Sequence, residues 1–490
     1  MAVAAEREYG LFIEGEPAEP ADGEVRDLTE PATGAPLARA AVAGPRDVDR
    51  AVAAARAALE GPWGKTPPNE RSRLLHALAD AIVANRKELA ELETRNVGKA
   101  LASTKAEVAV AAESFRYMAS AVGSIEGATR PIGGSILAYT LKEPVGVCAQ
   151  IVPWNYPIML AAWKLAPALA AGCTTVLKPD AATPLTALRV AELAAEAGIP
   201  PGVVNVVPGD GPTTGAQLVR HPGVDKVAFT GSTATGSEIM RLCADPVKRV
   251  SLELGGKSPA IVFADADFED AVASTAYGIY YSAGQSCDAR SRLLVEESVY
   301  DEVVALVEAK AGAVKVGDPL DPETQMGSLV SLAHRERVHG LVETGREEGA
   351  EVVAGGEPPD GPGAFYPPTV LASVGADRTV AQEEIFGPVL AVIPFADEKD
   401  AVRIANDVRY GLVATVWTSD PARGHRLARS VKSGTFTINL PYGAFPGVPF
   451  GGYKQSGFGR EQALETLQMY LETKSVLLAT GARPSNPWGL

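Results

Sequence analysis

Cys287 is the side chain in this sequence with the best setting for nucleophilic chemistry. It lies in the segment AGQSCDARS, among small and polar residues just after a helix-like stretch, where a thiol can be reached. A free thiol has a pKa of about 8.5 and needs a base or a favourable local field to form thiolate. The carboxylate of Asp288 would oppose that ionisation, so we expect it to point away from the sulfur. Cys148, Cys173 and Cys243 lie in apolar strands or an amphipathic helix and are predicted to be inert.

The base that serves this thiol is predicted to be a carboxylate. The five histidines lie in stretches typical of helix faces or loops, so each is expected at the surface: His76, His221, His334, His339 and His425. Glu253, in VSLELGGKSP, ends an apolar strand, and the carboxyl ends of strands in an open α/β sheet line a ligand crevice. A solvated strand-end carboxylate is the alternative. Glu384, in QEEIFGPV, sits beside Glu383, and one member of such a pair is usually a surface charge.

A phosphate-binding turn is predicted in the segment KVAFTGSTATG. Here a strand runs into Gly231 and Ser232 and then into a helix-like segment, whose first N–H groups could bind an anion. The segment matches neither a GxGxxG nor a Walker A pattern, so alone it is weak evidence. Lys178, in TTVLKPD, also follows a strand, where its ammonium could bind a ribose hydroxyl, although a solvated lysine is the commoner case.

Composition limits the possible partners. The chain has 490 residues, 46% apolar and 21% charged, as expected of a globular protein with about three domain-sized units. Its formal net charge of −15 disfavours nucleic acid and anionic membranes, because an acidic surface repels both. The four cysteines are far apart and have no histidine at metal-ligand spacing, so neither a metal site nor a disulfide framework is predicted. Because no membrane span or signal peptide is recognisable, a cytoplasmic location is expected.

Alternating strands and helices are predicted to position these residues. Residues 45–122 have a helical pattern of apolar positions. From VGVCAQIVP to RVSLELGG, strand-like runs alternate with helices, and a second alternating stretch extends from about Pro259 to Asn439. Such alternation implies right-handed crossovers and a mostly parallel sheet, so the predicted fold class is α/β. The segments SILAYTLKEP and TKSVLLAT are predicted to be further strands.

Seven short motifs together resemble the aldehyde dehydrogenase superfamily. They are PWNYP at 153–157, KP at 178–179, FTGS at 229–232, LELGGK at 252–257, GQSC at 284–287, EEIFGP at 383–388 and PFGGYKQSGFGRE at 449–461. They occur in the family's order and at its spacing over nearly the whole chain, which makes the resemblance highly specific. It implies an NAD(P)-dependent, non-acylating enzyme that oxidises an aldehyde to a carboxylic acid through a thioester.

The resemblance assigns catalytic roles position by position. Cys287 would attack the aldehyde carbon, while the Asn155 amide and the Cys287 backbone N–H hold the tetrahedral oxyanion. Transfer of hydride to the nicotinamide would leave a thioester on the sulfur. Glu253 would then activate water as a general base. Lys164 and Glu461 match a polar pair behind that base, which could relay its proton outward.

The resemblance also implies the cofactor and substrate contacts. The implied cofactor-binding residues are Lys178, Trp154, Gly231, Ser232, Glu384 and Phe386. Lys178 and Glu384 would bind the adenosine-side and nicotinamide-side ribose hydroxyls, Ser232 would face the pyrophosphate, and Phe386 would lie against the nicotinamide. Tyr156, Trp163 and Phe450 match the lining of the family's substrate tunnel, although an ordinary aromatic core explains each of them equally well.

Three residues bear on which cofactor and which aldehyde the protein uses, and two of them differ from the family's usual residues. NAD-preferring members often carry a glutamate three residues after Lys178, whereas this chain has Ala181, so both NAD and NADP are admissible. Asp288 beside the nucleophile is unusual, and an exposed carboxylate in the tunnel would favour amino- or other cationic aldehydes. Arg290 is the only nearby candidate for binding a carboxylate-bearing semialdehyde. Broad aliphatic or aromatic aldehydes remain possible substrates.

The resemblance implies three structural parts. A Rossmann-like cofactor domain would comprise residues 1–122 and 144–255, and an α/β catalytic domain residues 256–455. A small β oligomerisation arm would comprise residues 123–143 and 471–490. Because lone strands expose edges that a partner normally covers, a homodimer or homotetramer is expected.

Rival functions are distinguished by the same residues. A CoA-acylating semialdehyde dehydrogenase keeps the cysteine but typically lacks the glutamate at position 253. A phosphorylating glyceraldehyde-phosphate dehydrogenase would need a histidine near the thiol. A non-catalytic cofactor-binding or structural protein is disfavoured, because Cys287, Glu253 and Asn155 are all retained.

Overall fold

The computed structural model describes residues 8–132, 135–440 and 443–481. The predicted domain and arm ranges therefore fall partly outside the described residues, at 1–7, 133–134, 441–442 and 482–490. Within the described ranges the α-helices are α1 (Pro45–Glu60), α2 (Pro68–Ala84), α3 (Arg86–Val97), α4 (Leu101–Ala121), α5 (Pro157–Ala171), α6 (Leu185–Glu196), α7 (Ala216–Arg220), α8 (Thr233–Ala244), α9 (Phe268–Tyr280), α10 (Tyr300–Ala313), α11 (Leu332–Glu347), α12 (Thr379–Gln382), α13 (Glu398–Asn406), α14 (Pro421–Ser430) and α15 (Leu464–Gln468).

The β-strands of the same ranges are β1 (Glu8–Tyr9), β2 (Leu11–Ile13), β3 (Glu16–Ala18), β4 (Val25–Thr29), β5 (Pro36–Ala41), β6 (Thr129–Arg130), β7 (Ile136–Pro144), β8 (Val147–Ile151), β9 (Thr174–Lys178), β10 (Val204–Val206), β11 (Lys226–Thr230), β12 (Arg249–Glu253), β13 (Pro259–Val262), β14 (Arg292–Glu296), β15 (Glu351–Ala354), β16 (Thr369–Ala372), β17 (Val389–Phe395), β18 (Tyr410–Gly411), β19 (Val413–Trp417), β20 (Thr435–Ile438), β21 (Tyr453–Lys454), β22 (Gly457–Phe458) and β23 (Leu471–Ala479).

The first large sheet has the strand order β22-β12-β11-β8-β9-β10-β2-β3. Its five central strands, β8 to β12, are parallel, and the edge strands β22, β2 and β3 are antiparallel. Along β8, Cys148 packs into the core beneath α4, α5 and α6, while Val147 and Ala149 pack into the core beneath α1 and α8. Burial on both faces explains why these strands are continuous apolar runs in the sequence.

The second large sheet has the order β15-β16-β17-β14-β13-β19-β20 and is parallel except for β15. Its apolar residues share one core with α9, α10, α11 and α13. The alternation of strands and helices in the sequence therefore gives two mostly parallel sheets, and the predicted α/β class is confirmed.

A third sheet of order β23-β7-β6 is antiparallel. Strand β23 pairs with β7 over nine residues, from Leu471 opposite Pro144 to Ala479 opposite Ile136. Both strands lie in segments that the sequence predicts to be strands. Leucines on this sheet are exposed at positions 137, 141, 477 and 478, so the sheet has an apolar surface of its own.

Several elements differ from the sequence pattern. The helical stretch at 45–122 is divided into four helices, with Pro68 beginning α2 and the left-handed Gly98 ending α3. Residues 8–41, for which no structure is predicted from the sequence, form β1 to β5, of which β2 and β3 extend the first large sheet. Strand β22 returns to that sheet from beyond residue 455 and pairs with β12. No helix in the described part of the chain is long and apolar enough to cross a bilayer.

Candidate active site

The carboxyl ends of four parallel strands in the first sheet meet at one edge. Lys178 is the last residue of β9 and Glu253 the last of β12, while Gly231 follows β11. Trp154 and Asn155 follow β8. The loops that lead into β14 and β17 of the second sheet carry the segments around residues 287 and 386. Parallel topology thus gathers residues that are far apart in the sequence.

A left-handed turn precedes the predicted nucleophile. Ser282, Ala283 and Gly284 have φ angles of 52°, 53° and 71°, and each non-glycine residue in this region costs about 1–2 kcal/mol. Only glycine fits at the third position, because a side chain there would collide with the carbonyl of Gly387. The turn ends α9 and delivers Cys287 to the wall of a cavity, where its side chain is partly exposed.

The environment of Cys287 opposes ionisation of its thiol. Burial raises the pKa of this thiol well above its ordinary value, and the carboxylates of Asp288, Glu384 and Glu253 raise it further. A negative sulfur beside three carboxylates is unfavourable, since like charges in a poorly hydrated site repel strongly. The nucleophile therefore needs a group that removes its proton during the reaction.

Asp288 lies close enough to Cys287 to oppose ionisation of the thiol, whereas the sequence predicts a carboxylate that points away from the sulfur. Its carboxylate lines the same cavity as the thiol, accepts a hydrogen bond from the Ser286 hydroxyl, and lies 3.4 Å from Nη1 of Arg290. It contributes to the raised pKa of Cys287. The sequence did not reveal the two partners that hold the carboxylate there.

Arg290 is buried in the wall of the cavity. Its Nε donates to Oγ1 of Thr415 over 3.3 Å and its Nη1 to the backbone carbonyl of Asp288 over 3.2 Å. Its Nη2 has no hydrogen-bond partner within the described residues. Arg290 and Asp288 therefore largely neutralise each other, and Nη2 of Arg290 remains available to donate a hydrogen bond.

Glu253 is buried and has no hydrogen-bond partner for either carboxylate oxygen among the described residues. Burial raises its pKa well above the ordinary value, and Glu461 raises it further, whereas Lys164 opposes the shift. Lys164 Nζ donates to Oε1 of Glu461 over 2.5 Å. Glycine is required at 256, because a side chain there would collide with the carbonyl of Cys287. The structure thus brings these predicted catalytic residues together around the nucleophile.

Asn155 lies in the loop between β8 and α5 and is buried. Its Nδ2 donates to the backbone carbonyl of Gln285 over 2.9 Å, which fixes the amide against the nucleophile loop. An amide nitrogen carries two hydrogens, so a second N–H is available for an oxygen atom bound near Cys287. This position suits the predicted oxyanion donor.

The cavity next to the thiol has a volume of about 310 Å³ and mostly apolar walls. All four residues predicted for the substrate tunnel line it: Tyr156, Trp163, Phe450 and Asp288. The Trp163 and Phe450 rings meet edge to face, with centroids 5.5 Å apart, and the Tyr156 hydroxyl donates to Ser286 Oγ over 3.1 Å. The aromatic side chains therefore pack against their neighbours and line the cavity at the same time.

Glu107 was not singled out from the sequence, yet it lines the same cavity. Burial raises its pKa to about 7, with Glu93 adding to the shift and Lys99 opposing it. In the sequence it is one of many glutamates on a helix, and only its contacts across the fold distinguish it.

The predicted polar cofactor residues lie along the edge of the first sheet. Lys178 is buried, and its Nζ donates over 2.8 Å to the carbonyls of both Pro179 and Gly209, while burial lowers its pKa. Ser232 is exposed and caps α8, accepting from the N–H of Thr235 over 3.3 Å. The N-terminus of α8 is thus presented to solvent, where its N–H groups can bind an anion.

Glu384, in the loop before β17, lies beside the glycines that follow β12. Its Oε1 accepts from the N–H of Gly256 over 2.9 Å, and burial raises its pKa to about 7. The Trp154 and Phe386 rings stack edge to face with centroids 5.3 Å apart, and Phe386 adopts a left-handed φ of 62°. Its backbone is therefore strained beside the predicted nicotinamide end of the site.

His334 belongs to this aromatic group and is half-buried rather than fully exposed. Its Nε2 lies 2.7 Å from the Phe386 carbonyl and its ring centroid 5.1 Å from that of Trp154. Burial lowers its pKa. The residue sits in the first turn of α11, and its partners lie in two distant loops, so no local sequence signal could have identified it.

Comparison with known proteins agrees with this geometry. The model of the aldehyde dehydrogenase family matches residues 18–476. The NADP/NAD-dependent aldehyde dehydrogenase PuuC of Escherichia coli (strain K12) is 44% identical over 479 residues, covering 97% of this chain and 96% of PuuC. The betaine aldehyde dehydrogenase of Bacillus subtilis (strain 168) is 42% identical, covering 95% of this chain and 96% of that protein.

A solved structure is similar over nearly the same length. The NAD+ complex of aldehyde dehydrogenase from Bacillus cereus is 46% identical and has a TM-score of 0.95, covering 97% of each chain. Sequence, fold and the arrangement of the cavity residues therefore lead to one conclusion. This chain belongs to the aldehyde dehydrogenase family, and the resemblance seen in its motifs is confirmed.

Proposed function

We propose that the protein oxidises an uncharged aliphatic or aromatic aldehyde to the carboxylic acid with NAD or NADP, through a thioester on Cys287. The observation that carries this proposal is that Cys287 and Glu253, whose carboxylate has no hydrogen-bond partner among the described residues, line one cavity with apolar walls. A nucleophile and a base that face the same small space can act on one bound carbonyl group.

The first half of the reaction depends on the nucleophile loop. The Cys287 sulfur attacks the aldehyde carbon while its proton passes to a base, and Glu253, which lines the same cavity and has a raised pKa, is a candidate for it. The Asn155 amide and the Cys287 N–H hold the resulting oxyanion, and one such donor is worth about 2.7–4 kcal/mol of transition-state stabilisation. A bound nicotinamide would supply the hydride acceptor for the same carbon.

The residues along the sheet edge fit that cofactor. Within the described contacts, Lys178 gives two of its N–H groups to carbonyls, which leaves one for a ribose hydroxyl. The N-terminus of α8 is exposed at Ser232 and suits a pyrophosphate. Glu384, beside Gly256, has a carboxylate that could bind the hydroxyls of the nicotinamide-side ribose. The names of PuuC and of the Bacillus cereus complex support NAD or NADP as the cofactor.

The second half of the reaction is hydrolysis. Glu253 removes a proton from water, and the hydroxide equivalent attacks the thioester carbon. The Lys164–Glu461 pair lies beside this base and can pass the proton outward. A glutamate at 253 therefore favours water over coenzyme A as the acyl acceptor.

The reaction can be tested directly. Purified protein is mixed with aliphatic, aromatic, amino- and carboxy-aldehydes, each with NAD or NADP, and reduced cofactor is followed by absorbance. We expect turnover without coenzyme A and the carboxylic acid as product. Absence of reduced cofactor with every aldehyde would support the non-catalytic alternative, and dependence on coenzyme A would support the acylating one.

The charge of the substrate can be tested at Asp288. Because Arg290 compensates this carboxylate, we expect uncharged aldehydes to be preferred over amino-aldehydes. Asp288→Asn would leave Arg290 uncompensated. The kcat/KM ratio of a carboxy-aldehyde to its uncharged isostere is then expected to rise roughly fivefold to tenfold, since one charge in a partly screened cavity changes binding by about 1 kcal/mol.

The same variant decides the second candidate function, oxidation of cationic aldehydes, which the betaine aldehyde dehydrogenase relative favours. If Asp288 attracts cations, the wild-type enzyme prefers an amino-aldehyde to its uncharged isostere, whereas the compensated pair predicts the opposite preference; Asp288→Asn then lowers the kcat/KM ratio of the amino-aldehyde to its isostere. An unchanged amino-aldehyde ratio ends that idea, and an unchanged carboxy-aldehyde ratio ends the compensated-pair interpretation.

The choice between cofactors can be tested at Ala181. Ala181→Glu places a carboxylate three residues after Lys178, where it would repel a 2′-phosphate. The kcat/KM ratio of NADP to NAD is expected to fall about tenfold, corresponding to about 1.4 kcal/mol of repulsion. Ala181→Gln is the matched control, because it adds the same bulk without charge. An equal fall in both variants would show that bulk, not charge, controls the ratio.

Assembly and location complete the proposal. The antiparallel sheet β23-β7-β6 exposes four leucines, and an apolar edge of this kind is normally covered by a partner. We expect a homodimer or homotetramer in the cytoplasm. Light scattering after size-exclusion chromatography would measure the mass, and cell fractionation the location.

A further inference from the structure

Lys99 is a buried lysine beneath the loop that carries Asn155. It follows Gly98, which ends α3 with a φ of 88°, in the turn that leads into α4. The backbone N–H of Ser328 donates to the Gly98 carbonyl over 2.9 Å, so a second segment pins this turn from outside. The position of the Lys99 backbone is therefore fixed independently of its side chain.

The ammonium group of Lys99 makes two charge-assisted contacts. Its Nζ donates to the backbone carbonyl of Asn155 over 2.7 Å and forms an ion pair with the Glu107 carboxylate. It also lies 4.1 Å from the centroid of the Tyr156 ring. Glu107 in turn accepts from the Tyr281 hydroxyl over 3.3 Å. Both members of the ion pair are almost completely buried, with side-chain exposures of 0% and 2%.

A second buried carboxylate holds the other end of the same loop. Oε1 of Glu93 accepts from the backbone N–H of Ile158 over 3.2 Å, and its Oε2 accepts from the Thr186 hydroxyl. The segment from Asn155 to the first turn of α5 is thus held at the Asn155 carbonyl by an ammonium and at the Ile158 N–H by a carboxylate. Both groups come from α3 and the turn that follows it.

Folding stability alone does not explain why this ion pair is buried. Two charges removed from water are often no more stabilising than apolar residues of the same volume. The hydrogen bond from Lys99 ends on the peptide group that carries the Asn155 side chain. A donor displaced by about 1 Å can cost a hundredfold in rate. Fixing that peptide plane therefore keeps the Asn155 amide where it can stabilise the oxyanion.

We propose that Lys99 is a positioning residue for the oxyanion site, acting through the backbone carbonyl of Asn155 and held in place by Glu107. This inference rests on the proposed function, since it assumes that the Asn155 amide stabilises the oxyanion. Lys99 is not itself among the residues that line the cavity, although its partners Glu107 and Tyr156 are, and the proposal assigns its effect on the reaction to the geometry of the Asn155 amide.

The test uses Lys99→Met, which keeps length and apolar bulk but removes the donor. We expect kcat for aldehyde oxidation to fall about tenfold to a hundredfold, while KM for the cofactor and the rate of Cys287 alkylation stay unchanged. The matched control is Lys105→Met, an exposed lysine in the first part of α4, which should retain full activity. If Lys99→Met leaves kcat unchanged, the proposal is overturned.

A double-variant cycle separates positioning from a general loss of structure. In the background of Asn155→Ala, Lys99→Met should cause no further loss of kcat, because Lys99 acts only through that amide. An equal additional loss in this background would overturn the proposal. If Asn155→Ala alone leaves kcat unchanged, the oxyanion role itself is wrong, which is a different result. Should Lys99→Met fail to fold, Lys99→Met with Glu107→Gln removes both charges and serves in the same cycle.

Discussion

Replacing Cys287 by alanine is expected to lower kcat for aldehyde oxidation by about 10⁴-fold or more, because removal of a nucleophile removes the covalent route altogether. Cofactor binding and thermal stability should change little, since the side chain is small and partly exposed at a cavity wall. Steady-state production of reduced cofactor measures the loss. Cys287→Ser should be almost as inactive, because a hydroxyl is a far weaker nucleophile than a thiol.

The control for this experiment is Cys243→Ala, which removes a buried thiol on α8 and should retain activity. Mass spectrometry of the wild-type protein, quenched during turnover, should find an acyl group on the peptide that contains Cys287. Substantial turnover by Cys287→Ala, or acylation at another residue, would contradict the proposed mechanism.

The second large effect is expected from Glu253→Gln, which keeps the shape of the side chain but removes the base. Acylation should still occur with an external base from solvent, whereas deacylation should slow by about 10²–10⁴-fold, the usual contribution of a general base. Rapid-mixing measurements should then show one burst of reduced cofactor per active site, followed by very slow turnover. Acylated Cys287 should accumulate in this variant.

The pH dependence of kcat gives an independent check on Glu253. Burial, assisted by Glu461, raises its pKa well above the ordinary value, although Lys164 opposes the shift. A general base is active when deprotonated, so kcat should rise as pH increases through this elevated pKa and then level off. Glu253→Gln should lack that rising limb. If the variant kept both the wild-type kcat and its pH profile, Glu253 could not be the base.

The strands and helices of the two large sheets were predictable because short stretches of the sequence carry their patterns. Continuous apolar runs such as the one around Cys148 arise from strands buried on both faces, and their alternation with helices fixed the parallel topology. The motifs around Glu253 and Cys287 predicted residues that line one cavity, and the motif around Asn155 predicted a side chain that donates to the Gln285 carbonyl of the nucleophile loop. The family and the α/β class are confirmed, whereas the individual catalytic roles stay predictions until the variants are measured.

The rest depended on contacts that no local pattern reveals. His334 joins Phe386 across 52 residues of sequence, and Lys99 reaches Asn155 across 56 residues. The orientation of Asp288 is controlled by Ser286 and Arg290, whose rotamers follow from packing rather than from sequence spacing. The strands at residues 8–41 were missed for a different reason, since runs of two to six residues carry too little alternation to be recognised.

The pairing of β23 with β7 has a consequence for how the molecule is made. Lys142 and Thr473 touch across 331 residues of sequence, so β7 leaves the ribosome long before its neighbour has been synthesised. During that interval the leucines of β7 and the open side of the strand are available to other nascent chains, which is a recognised hazard of unpaired edges. Chaperone capture of the growing polypeptide should therefore concentrate on this segment and cease once the returning strand is translated.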